Sequence, residues 1–146
     1  MRLEVSLPYT IYAVPVDDRT LVSLAANQTR RLGYSDNPHR RRLVRKAETQ
    51  LRRDAGWATL YSLQESTERP PGATQRPFPG RVAVTVEVSL KDPGRRRDAD
   101  GCWSGLKLAL DGIAEALWVD DSVFDLGLVT FTKGEEPETR ITLEDA

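Results

Sequence analysis

Leu3, Val5 and Leu7 alternate with Arg2, Glu4 and Ser6, the two-residue period of a half-buried strand. Pro8 stops it, and residues 9–16 offer a second short extended piece before Asp17-Asp18. Between Leu21 and Gly33 the pattern assigns no element beyond a turn at Ala26-Asn27-Gln28. At Asn37-Pro38 a favoured N-cap precedes a favoured first helical residue, which predicts a helix from about 38 to 54 ending near Gly56. Its apolar stripe is Leu43, Ala47 and Leu51, with Val44 at the edge.

The proline-rich run 64–80 reads as a loop whose Phe78 belongs to the core. From 81 to 90, Val82, Val84, Val86, Val88 and Leu90 face one way and Ala83, Thr85, Glu87 and Ser89 the other, the clearest strand in the chain. One-sided burial of that kind favours an antiparallel sheet under a covering layer. Pro93-Gly94 breaks the strand. Leu106, Leu110, Ile113 and Leu117 then predict a helix over roughly 102–117, with Lys107 and Asp111 four apart on another face. Residues 122–132 and 139–143 read as two strands, with Lys133-Gly134 and Pro137 as the turn. The expected architecture is α+β: a mainly antiparallel sheet packed with helices, in one domain over 1–146.

Composition narrows the function classes. The 146 residues are enough for one core without disulfides, and the single Cys102 excludes an internal disulfide and a thiolate metal cluster. One histidine, His39, excludes a histidine-based metal cluster. No run approaches a membrane span or a signal peptide's apolar stretch, so the expectation is a soluble, cytoplasmic protein with no membrane partner.

A net charge of −1 hides a division at Asp98. Residues 98–146 hold three basic residues, Lys107, Lys133 and Arg140, against twelve acidic ones, a charge of −9. The remaining eighteen basic and ten acidic residues give +8 before it. Arg40, Arg41, Arg42, Arg45 and Lys46 stand on the first predicted helix and Arg95, Arg96 and Arg97 beside Asp98, a cationic surface suited to phosphates.

Candidate chemistry lies between Arg95 and Asp121. In an extended segment Asp98 and Asp100 point the same way and present two carboxylates to one ion, and one of Asp120 and Asp121 joins them. Unneutralised carboxylates about 4 Å apart repel by roughly 4 kcal/mol at an intermediate dielectric. A divalent ion such as Mg²⁺ removes that repulsion and suits oxygen ligands. Lys107 would stabilise charge developing on a phosphate. Trp57, Trp103 and Trp118 are read as packing residues, with Trp103 also near enough to Asp100 to approach DNA, and Cys102 as inert.

The run R-R-R-D-A-D at 95–100, K-L-A-L-D at 107–111 and L-W-V-D-D-S at 117–122 resembles the RusA family of crossover junction endodeoxyribonucleases, particularly its phage-encoded branch. The opening strand ending Leu7-Pro8, and Ala26-Asn27-Gln28 before the basic helix, are similar to that branch too. The resemblance implies a homodimeric, Mg²⁺-dependent endonuclease that cuts four-way (Holliday) DNA junctions in recombination or phage DNA processing, within a bacterial or phage-infected cell. It implies Asp98, Asp100 and Asp121 as metal ligands, Asp120 as the adjacent acid and Lys107 as the essential lysine. Two positions depart from the family pattern. Gly101 replaces the usual Asn, and Lys107 follows Asp100 by seven residues, where other members have the lysine at four and this chain has Ser104. Gly101 is the reason to weigh a cleavage-impaired junction-binding protein of the same fold, and a plain interaction domain with a structural acidic cluster is the second rival.

Overall fold

The computed structural model describes residues 1–25, 38–66, 76–93 and 99–146. The turn at Ala26-Asn27-Gln28, Asn37, Gly94, Arg95, Arg96, Arg97 and Asp98 lie outside the described residues, as does the middle of the proline-rich run.

Four strands, β1 (Arg2–Leu7), β4 (Val82–Leu90), β5 (Phe124–Lys133) and β6 (Glu138–Asp145), form one sheet in the order β1-β6-β4-β5. β6 pairs antiparallel with both β1 and β4, while β4 and β5 run parallel. The α+β class and the mainly antiparallel sheet both stand, with β4 and β5 as the parallel pair among the described strands. β2 (Val14–Pro15) and β3 (Leu21–Val22) form a separate two-stranded ribbon, shorter than the extended piece expected over 9–16.

The parallel pair arises because β5 and β6, although close in sequence, lie on opposite sides of β4. Their connection crosses the end of β4, where the Gly134 N–H donates to the Leu90 carbonyl oxygen at 2.9 Å. A Cβ on Gly134 would stand 2.2 Å from Ser89 Oγ, so a larger residue at the crossing would require the Ser89 hydroxyl to turn aside. Alternation along β4 is as expected: Val82, Val84, Val86, Val88 and Leu90 are all buried. β5 is an edge strand whose register with β4 shifts between Val84 and Val86, a bulge that bends the edge.

Among the described residues, three helices pack over the sheet. α1 (Pro38–Glu65) buries Val44, Ala47, Leu51, Ala55 and Thr59, so the stripe centres on Val44, with Leu43 half-buried beside it. α1 does not stop at Gly56 but runs nine residues beyond it. Gly56 faces α3 (Lys107–Leu117) at a close helix crossing, where a Cβ on Gly112 would stand 2.2 Å from the Arg52 carbonyl oxygen. Glycine here permits backbone approach instead of ending a helix.

The single helix expected over 102–117 is two: α2 (Ala99–Gly105) and α3, separated at Leu106, whose φ of −87° and ψ of 0° interrupt the helix. Gly105, just before it, sits at a close approach to the segment after β1, since a Cβ there would meet Ile11 Cδ1 at 2.4 Å and the Leu24 carbonyl oxygen at 2.8 Å. The apolar stripe survives it, with Leu106, Leu110, Ile113 and Leu117 all in the core beside Phe78.

A half-buried polar network ties α1 to the segment after β1. Tyr9 Oη donates to Asp54 Oδ2 at 2.6 Å, and Gln50 Nε2 donates to both Asp54 oxygens at 2.9 and 3.0 Å. Burial first, then the bond to Asp54, push the Tyr9 phenol above its ordinary range, so it remains a donor at physiological pH. Tyr9→Phe is expected to lower unfolding free energy by about 1–3 kcal/mol in denaturant titrations, because the bond it deletes is to a charged group.

A candidate acidic site beside a basic helix

The acidic pair enters β5 through a 3-10 turn, Asp121–Val123. Asp120 Oδ1 accepts the Ser122 backbone N–H at 2.9 Å, capping the turn. That bond, joined by the Ser122 hydroxyl, holds the Asp120 carboxyl below the usual carboxylate range. Asp121 shifts the other way. Loss of hydration contributes most, followed by the charge of Asp111 and then by hydrogen bonding and repulsion from Asp120. The residues that look equivalent in sequence are therefore distinct: Asp120 caps the chain, and Asp121 faces a second carboxylate.

That second carboxylate, Asp111, was not among the site residues expected from the sequence. It lies on α3 one turn after Lys107, so the signal was the four-residue spacing that places a cation and an acid in one column. Lys107 is exposed at the first position of α3, whose first turn carries no acidic residue. The helix macrodipole disfavours a cation there by about 0.3–1 kcal/mol, so local helix stability does not account for it.

Arg81 holds the turn from below. Its Nε donates to the Asp125 carboxylate at 3.0 and 3.1 Å, and Nη2 to the Ser122 carbonyl oxygen at 3.3 Å. This pairing keeps the Asp125 carboxyl low and joins the start of β4 to the start of β5 beside Asp121.

Asp100 lies in the first turn of α2 and is exposed. It is helical, so the alternation that would align it with Asp98 in an extended segment does not apply; Asp98 itself is outside the described residues. Among the described residues no hydrogen bond or ion pair joins Asp100 to Asp121, and no three His, Cys, Asp or Glu side chains are placed to hold one metal ion. The donor chemistry at Asp111 and Asp121 nevertheless fits a hard divalent cation completed by water, because such an ion would relieve the repulsion that adds to lost hydration in raising Asp121.

The basic face is on α1. Arg40, Arg41, Arg42, Arg45 and Lys46 are all exposed, and no acidic residue occupies the first turn. Arg95, Arg96 and Arg97 are outside the described residues. Cys102 is fully buried, as an inert thiol would be. Trp103 packs partly against the core, its indole N–H donating to the Gly127 carbonyl oxygen at 3.3 Å. Trp57 and Trp118 depart from the packing role, being 68% and 60% exposed.

Neither a protein-family model nor a curated protein matches the chain. Among the described residues no helix is long and apolar enough to cross a membrane.

Proposed function

We propose that the protein is a metal-dependent endonuclease acting on branched DNA, with four-way junctions as its substrate and a homodimer as its working form. The observation that carries this reading is the facing pair Asp111 and Asp121 on one side of α3, with Lys107 one turn away and the cationic start of α1 on the same molecule. Asp121 and Asp111 would hold Mg²⁺, with Asp98 and Asp100 as the further carboxylates that the family resemblance supplies. The bound ion would polarise a phosphoryl oxygen and lower the pKa of its water.

The chain's own groups account for the remaining steps. Lys107 offers a cation to the charge that grows on the phosphate. Asp120, committed to Ser122, fixes the turn that carries Asp121, and Arg81 positions that turn on the sheet. Arg40, Arg41, Arg42, Arg45 and Lys46 bind the DNA backbone without reading bases.

Incubation of the purified protein with a labelled four-way junction and a linear duplex, with and without Mg²⁺, tests the reading. Mg²⁺-dependent cleavage confined to the junction is expected, together with its loss in Asp100→Asn; equal behaviour on both DNAs would refute junction specificity. In the same assay without metal, Arg41→Ala is expected to weaken binding to both DNAs and reduce the salt-dependence slope by about 1. A second reading, junction binding without cleavage, is favoured by the placement of Asp100 on α2, unconnected to Asp121. Tight, uncleaved junction complexes in Mg²⁺ are its signature.

A further inference from the structure

The crossing of α1 and α3 leaves an open groove of about 440 Å³, within the range of small-ligand sites, lined by Arg52, Arg53, Trp57, Leu60, Glu115 and Trp118, with Gly56 and Gly112 among its other lining residues. We propose that this groove binds an unstacked nucleobase of the DNA substrate on the indole faces of Trp57 and Trp118, with Arg53 on the adjoining phosphate. The proposal rests on the reading of the protein as one that acts on branched DNA, where base stacking is interrupted at the branch.

Three observations carry it. First, Trp57 and Trp118 are largely exposed, and an indole left in water forfeits a large burial gain. Second, Trp118 ends α3 in the left-handed conformation, φ 59° and ψ 40°, and is the one non-glycine residue with positive φ among the described residues. Glycine is the usual occupant of such a helix end, and a residue with a Cβ is strained there. The cap closes α3 through the Trp118 and Val119 N–H groups, which donate to the Glu115 and Ala114 carbonyl oxygens, and glycine would make the same bonds without strain, so the fold does not require tryptophan here. Third, the groove's cations suit a nucleotide. Arg52 is held by Glu115 at 3.1 Å, while Arg53 is exposed and makes no ion pair among the described residues.

The groove and the acidic site share α3 and its end: Trp118 lies two residues before Asp120, and Gly112 directly follows Asp111. Stacking on aromatic faces with a guanidinium beside the phosphate is the ordinary chemistry of unpaired nucleotides.

The test uses the intact protein, in EDTA, with two probes: an eight-residue oligothymidylate and a four-way junction. Wild-type tryptophan fluorescence is expected to be quenched by the oligothymidylate. The double variant Trp57→Ala/Trp118→Gly, which keeps Trp103, is expected to lose that quenching and to bind the junction about tenfold more weakly, the size of a lost base stack. Trp118→Gly relaxes the left-handed residue, so its loss of binding is not a loss of folding, which circular dichroism verifies. Unchanged oligothymidylate and junction affinity in the double variant would overturn the proposal while leaving junction cleavage standing. Quenching that persists in wild type when junction cleavage fails would overturn the nuclease reading and keep the groove. A shift from dimer to monomer on sedimentation, with oligothymidylate affinity intact, would instead assign the groove to a second copy.

Discussion

Asp121→Asn is expected to lower Mg²⁺-dependent junction cleavage by about two orders of magnitude while raising the melting temperature measured in EDTA at neutral pH. The two effects have one cause. Asp121 faces Asp111 and adjoins Asp120, and its carboxyl is raised by lost hydration and by their charges. A carboxyl whose folded pKa lies above its unfolded one contributes stability at low pH and loses it as pH rises through the folded value. At neutral pH the ionised Asp121 therefore opposes folding, and the neutral amide removes that opposition. Asp120 and Asp125, held low by Ser122 and Arg81, have the opposite sign: their contribution is present above the ordinary carboxylate range and disappears on acidification. Thermal melts from pH 4 to 7 separate these contributions, because only the decline on raising pH should vanish in Asp121→Asn. Mg²⁺ supplies the complementary readout. It should raise the melting temperature of the wild type and have little effect on the variant, since a ligand that binds only the folded state stabilises by mass action. A variant that cleaves normally, or melts lower in EDTA at pH 7, would remove Asp121 from the site.

The division between what the chain announces and what only folding reveals follows from the range of the interactions. β1, β4 and the stripe of α3 were legible because alternation and helical spacing are local patterns, and each buried residue in them lies where its period places it. The parallel pairing of β4 with β5 was not legible, because it depends on a connection that crosses the end of β4 at Ser89 and Gly134. Gly56 was misread for a related reason: a helix-stopping residue and a helix-crossing residue are the same letter, and only the opposing Gly112 tells them apart. In the acidic segment, Asp121 and Lys107 were recognisable by type and spacing. Asp111 was not, because its role depends on the 3-10 turn returning the chain toward α3. The packing roles given to Trp57 and Trp118 failed for want of any local signal of exposure, although the left-handed end of α3 now supplies one at Trp118.

Gly112→Ala is expected to be strongly destabilising, whereas Gly56→Ala, on the other side of the same crossing, should leave stability unchanged or raise it. The two glycines differ in what an added methyl meets. At Gly112 it would stand 2.2 Å from the Arg52 carbonyl oxygen, 3.1 Å from the Arg52 carbonyl carbon and 3.3 Å from the Gly56 nitrogen. All three are backbone atoms of α1, which no rotamer change can move aside. Overpacking of this kind costs about 1–3 kcal/mol, and a rigid backbone obstacle puts Gly112→Ala at the upper end. A loss of that size should lower the melting temperature of a chain of this length by roughly 5–12 °C. At Gly56 the methyl would meet the Gly112 carbonyl oxygen at 3.5 Å, an ordinary contact, and alanine in a helix interior is favoured over glycine by roughly 0.5–1 kcal/mol. The functional consequence separates them further. Forcing α3 away from α1 displaces Asp111 relative to Asp121, because Asp111 is carried by α3 and Asp121 by the turn into β5. Gly112→Ala should therefore cleave poorly even below its melting point, in the same junction assay in which Gly56→Ala retains activity. Equal melting temperatures for the two variants would mean that the helices do not meet at this crossing.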